Sequence, residues 1–92
     1  MPKMINEARF IKTKAEVAQI LERWREDQRK NKKDFASLLG ITGEAYNHIS
    51  QGKTYPSFRV LSILSQNGFN IASLLNLDDK DVEAIRAGKY DE

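Results

Sequence analysis

The residues best suited to chemistry lie close together. Thr42, Gly43, Glu44, Asn47 and His48 form the centre, with Lys32 and Lys33 before them and Lys53, Thr54 and Tyr55 after. Glu44, Asn47 and His48 stand at i, i+3 and i+4, which puts their side chains on one face of a helix. A carboxylate only accepts hydrogen bonds, a carboxamide donates and accepts in one plane, and an imidazole can do either. Such a set suits reading the donor and acceptor pattern of another surface. It does not suit bond-making. His48 is the single histidine, and no Ser, Cys or acid–base pair is spaced to work with it. A partner-facing imidazole or an ordinary surface one are the two options for it. The chain has no cysteine and no carboxylates clustered about His48, so no metal site is expected. No glycine-rich phosphate loop is present either. The chain reads as a non-enzyme without a cofactor.

The elements that must position these residues are helical. Phe35, Ala36 and Leu39 share one face of a short helix, with Asn31 as its cap and Asp34 near its positive end. Gly40 can take the left-handed conformation that stops a helix. Thr42 then caps a second helix, which turns Ala45, Tyr46 and Ile49 inward and leaves Gly43, Glu44, Asn47 and His48 outside. Two helices joined by so short a turn make a helix-turn-helix.

Upstream, Thr13 and Glu16 form a capping box. The helix it opens carries Val17, Ile20, Leu21, Trp24 and Gln28 on one stripe, with Trp24 as a packing residue. Residues 25–33 end that helix and supply a loop. Downstream, Gly52 terminates the second helix of the pair, and Pro56 favours an extended residue before it and a helix after it. Ser57 caps a fourth helix with Phe58, Leu61 and Leu64 on one face and Val60 and Ile63 alongside, ended by Gly68. Asn70 caps a short fifth helix carrying Ile71, Leu74 and Leu75.

Asp78 as cap, Asp79 and Asp81 in the first turn, a Leu77–Val82 staple, Ile85, Arg86 and Gly88 predict a sixth helix near 79–87. Beyond Gly88 the chain is expected to fray. In residues 1–12, Met4, Ile5, Ala8 and Ile11 have helical spacing, while 8–12 could equally pair as a strand. A frayed arm, a cover for the core and a dimer contact all remain open for this stretch. The expected fold is all-α, a compact bundle of five short helices plus a sixth at the C-terminus. The expected division is an N-terminal arm at 1–12, a helix-turn-helix domain at 13–77, and an acidic helix and tail at 78–92.

Length and charge bound the rest. A chain of 92 residues is one small domain, large enough for a single core without staples. No run approaches the roughly 20 apolar residues of a membrane span, and the first residues lack a signal-peptide core. A soluble, cytoplasmic protein is expected. The net charge of +2 hides a gradient: residues 1–77 carry 12 Lys/Arg against 7 Asp/Glu, and 78–92 carry 3 against 6. The body can therefore meet a polyanion that the tail would repel.

Ala36, Gly40, Ile41, Ile49, then Gly52-Lys53 and Pro56-Ser57, resemble the matching positions of the Cro and lambda-repressor-type (Xre) helix-turn-helix proteins. The resemblance runs from about residue 17 to residue 75. It implies a lambda-repressor-like arrangement and sequence-specific binding of double-stranded DNA by a transcriptional regulator. In a helix-turn-helix the second helix enters the major groove with its N-terminal residues at base edges. That makes Gly43, Glu44, Asn47 and His48 the base-reading candidates, and the resemblance places base reading on the same residues. Asn47 suits adenine and Glu44 suits cytosine N4. This helix has no Arg or Lys, the commonest readers of guanine.

Backbone contacts are expected from Lys32, Lys33, Thr42, Lys53, Thr54, Tyr55 and Arg59. Ser50 stands where the family commonly carries a glutamate paired with an arginine of the first helix, here Arg25. Tyr46 stands at a position usually aliphatic. The resemblance implies a homodimer on a palindromic site, with the dimer contact sought in 1–12 and 78–92. Two alternatives accompany it: the antitoxin of a toxin–antitoxin pair, holding its toxin by the arm or tail, and a protein-interaction module with little DNA affinity.

Overall fold

Each α-helix begins at a side chain that takes over an otherwise unpaired backbone amide. In the computed structural model, which describes residues 3–4 and 9–91, Thr13 opens α1 (Lys14–Asp27) with the expected capping box. Asn31 opens α2 (Lys32–Leu38), Thr42 opens α3 (Gly43–Ser50) and Ser57 opens α4 (Phe58–Gln66). Asp78 opens α5 (Asp79–Arg86), where Asp78 and Asp81 form a second capping box. The sixth expected helix is therefore formed, as α5.

The ends are equally local. Ile41 N–H reaches Ala36 O at 3.0 Å and Lys53 N–H reaches His48 O at 2.9 Å, each wrapping back over a left-handed glycine. Gly40 has φ 72° and Gly52 has φ 74°. Helix α1 makes the same turn without a glycine, through Arg29 at φ 56°.

The chain divides into two compact units. In Lys12–Tyr55, α1 and α2 each pack against α3. The buried side chains are Val17, Ala18, Leu21, Phe35, Ala36, Leu39, Tyr46 and Ile49. Phe35 is fully buried and meets Tyr46 edge-on, with ring centroids 5.2 Å apart, and the Trp24 ring at 5.8 Å. Each such large apolar side chain contributes roughly 1.5–3 kcal/mol through burial. Trp24 and Ile20 are half-buried, so the α1 stripe centres on Val17 and Leu21.

In the other unit α4 packs on α5, and Phe58, Val60, Leu61, Leu64, Phe69, Ile71, Leu74, Leu75 and Ile85 are buried. The expected fifth helix is only a single 3-10 turn, Ile71–Ser73, capped by Asn70. Its extension is prevented by pairing with the N-terminal segment. Ile11 N–H donates to Leu74 O at 2.9 Å, Asn76 N–H donates to Arg9 O at 2.7 Å, and Phe10 bridges Leu75 antiparallel. The strand-like option for 8–12 is realised at Phe10, whose ring stacks on Phe58 at 6.4 Å. The helical option leaned on Ile5 and Ala8, which lie outside the described residues.

Arg9 also reaches Asp81, buried at 1% exposure, with an Nη2–Oδ2 distance of 2.7 Å. A two-residue strand β1 (Lys3–Met4) pairs in parallel with β2 (Tyr90–Asp91), so these two residues beyond Gly88 are paired where fraying was expected. Among the described residues no helix is long and apolar enough to cross a membrane.

Candidate functional site

Helix α3 is held at both ends, and its outer face is bare. Thr42 Oγ accepts from Ala45 N–H at 3.0 Å, fixing the first turn, while Lys53 N–H closes the last one on His48 O. Tyr46 and Ile49 anchor the inner face at 1% and 5% exposure. Glu44, Asn47 and His48 are exposed, and none of their side chains makes a hydrogen bond or ion pair among the described residues. A Cβ built on Gly43 would meet nothing within 4 Å, so the backbone there is open to close approach. Ala45, expected inward, is only half-buried.

The cations around α3 differ in how free they are. Lys33 is exposed and unpaired among the described residues. Lys32 is exposed too, but its Nζ stands 4.0 Å from Glu22 Oε1, close to an internal countercharge. Lys53 and Thr54 are exposed directly after α3. Tyr55 is half-buried, and its hydroxyl donates to Lys12 O at 2.8 Å, so its proton is already committed within the chain. Arg59 is exposed on the first turn of α4, in the other unit. All the other expected site residues fall within Lys12–Tyr55. That segment carries nine Lys/Arg against six Asp/Glu.

Beneath α3 the polar pairing differs from the pattern the resemblance implied. Ser50 Oγ donates to Asn47 O at 3.0 Å and makes no link to Arg25. Arg25 instead pairs on its own helix, with Nε and Nη2 at 2.9 and 2.6 Å from Glu22 Oε2, and its Nη1 donates to Lys30 O at 2.6 Å. Burial and the nearby Glu22 carboxylate push the Tyr46 hydroxyl well above the ordinary tyrosine range. Helix α1 thus meets the start of α2 and the inner face of α3 through Glu22 and Arg25.

Sequence reasoning missed two residues. Glu22 sits one turn before Arg25, a spacing that was available as a signal. Lys14 was read only as the interior of a capping box, yet its Nζ lies 5.6 Å from the Tyr55 ring centroid. Comparison with protein-family models, curated proteins and solved structures gave no match.

Proposed function

We propose that this chain binds double-stranded DNA as a phage-repressor-type transcriptional regulator, with α2 and α3 acting as a lambda-repressor-like helix-turn-helix. The observation that carries the reading is the outer face of α3. Its polar side chains have no partner among the described residues, on a helix whose two ends and inner face are fixed. Rigid placement of unspent hydrogen-bonding groups is what base-edge reading needs, because ordering them on the DNA then costs little. Glu44, Asn47 and His48 read bases, Gly43 permits close approach, and Lys33, Lys53 and Thr54 hold phosphates.

Two domains on a palindrome reach the affinity that one small interface does not. The antitoxin alternative keeps this DNA-binding reading and adds a toxin held by residues 1–12 or 78–92. A second reading, a protein-interaction module, is favoured by one observation: α3 presents Glu44 and no Lys or Arg.

A mobility-shift titration against random duplex at several salt concentrations separates the two readings. Binding at low salt that weakens with salt supports the regulator, and no binding even at low salt sinks it. Alanine at Asn47 and His48 should relax sequence preference, with each lost bidentate contact costing about 1–3 kcal/mol of discrimination. Replacing Lys53 should weaken all sequences alike.

A further inference from the structure

We infer that Lys14 is a further phosphate-contacting residue of the same interface, acting beside Lys53; the inference rests on the DNA-binding reading. The start of α1 lies against the turn that follows α3. A Cβ at Gly52 would stand 3.3 Å from Ala15 Cα and 3.4 Å from Ala15 N, and the Tyr55 hydroxyl is bonded to Lys12 O at 2.8 Å. The segments 12–15 and 52–55 are therefore neighbours, although 37 or more residues separate them in sequence.

Three observations single out Lys14. It is the first residue of α1, where the helix dipole favours Asp or Glu and disfavours a cation, so helix stability does not account for its charge. Its ammonium lies 5.6 Å from the Tyr55 ring centroid, a cation–π contact that holds the head without neutralising it. It forms no ion pair among the described residues. Glu16, the carboxylate two residues on, is turned back to accept from Thr13 N–H at 3.0 Å. Tyr55, its hydroxyl already committed, serves as the platform that positions Lys14. Lys53 is exposed and fixed by its own backbone hydrogen bond to His48 O. Two cations from adjoining segments, one held over a ring and the other carried on a fixed backbone, suit neighbouring phosphates of one DNA strand.

The test uses the full chain and a random-sequence duplex of about 20 base pairs, with affinity measured across a salt series. Lys14→Gln should lower the magnitude of the log–log salt slope by about 0.9 and weaken binding for every sequence alike. Lys14→Arg should keep the wild-type slope. Lys80→Gln, which removes a cation from α5, should leave the slope unchanged. Thermal melting of Lys14→Gln should stay close to wild type, because removing a cation from the positive end of a helix and losing the cation–π contact act in opposite directions.

A wild-type slope in Lys14→Gln overturns the assignment and leaves DNA binding standing. Equal losses in Lys14→Gln and Lys80→Gln overturn it as well, because net charge alone would then explain the effect. Failure of the wild-type chain to bind at low salt overturns the DNA reading, and this inference with it.

Discussion

At the scale of single residues, Arg29 is the one non-glycine among the described residues with a left-handed backbone. It occupies the position after α1 that glycine fills after α2 and α3. A side chain there costs roughly 1 kcal/mol relative to glycine. Arg29→Gly should therefore stabilise the chain by about 0.5–1 kcal/mol, less than the full strain because glycine also loosens the unfolded chain. The check is a higher urea midpoint at an unchanged m-value.

Tyr46 gives a prediction with a sign. Its folded pKa is raised above the ordinary 10.0, first by burial and then by Glu22. Below pH 10 both folded and unfolded forms keep the proton, and the hydroxyl confers no pH dependence. Above pH 10 the unfolded chain loses the proton more readily, so stability falls as pH rises, by up to about 1.4 kcal/mol per pH unit for this group. Denaturant melts of wild type and Tyr46→Phe at pH 9 and pH 11 should diverge at the higher pH in favour of the phenylalanine. Parallel pH dependence of the two would show that the hydroxyl is not held neutral.

At the scale of elements, α3 has eight residues, too few to persist without its cap and its packing. Thr42→Ala removes the Oγ that accepts from Ala45 N–H and should cost about 1 kcal/mol, while Thr42→Ser should restore most of it. Melting temperatures of the three forms give the answer directly. If α3 reads DNA, the alanine form should also lose affinity beyond its loss of stability, because the first turn carries Gly43 and Glu44.

The starts and stops of these helices were legible in the sequence because the residues that make them act within five positions of one another. Thr13, Asn31, Thr42, Ser57 and Asp78 cap the helices they were expected to cap, while Asn70 caps a 3-10 turn where a helix was expected. The misses are contacts across the chain. Nothing near Asn70 announces that Phe10 will bridge Leu75 and cut the fifth helix to a 3-10 turn. Nothing near Arg25 says whether it will choose Ser50 or its own neighbour Glu22. The bare face of α3 was legible from helical spacing, whereas the place of Lys14 over Tyr55 required the fold.

At the scale of the whole molecule, charge is partitioned between the two units. Lys12–Tyr55 carries nine Lys/Arg and six Asp/Glu, and the rest of the chain carries six and seven. An interface built on the first unit therefore gains attraction from its own surroundings, without relying on the net charge of +2. If about four phosphates are neutralised per protomer, log affinity should fall with log salt at a slope near −3.6. A symmetric pair on a palindrome places half-sites about 34 Å apart and engages both faces at once, so the slope for the paired complex should be about −7.

Two duplexes distinguish the cases: one of about 10 base pairs, which seats one domain, and one of about 20, which seats two. A slope that doubles with duplex length, with half-saturation that depends steeply on protein concentration, identifies the cooperating pair. A slope near −3.6 on both lengths identifies a monomer whose specificity rests on Glu44, Asn47 and His48 alone. Recognition without a cation at the base edges would then be weak, and the arms at 1–12 and 78–92 would have no part in it.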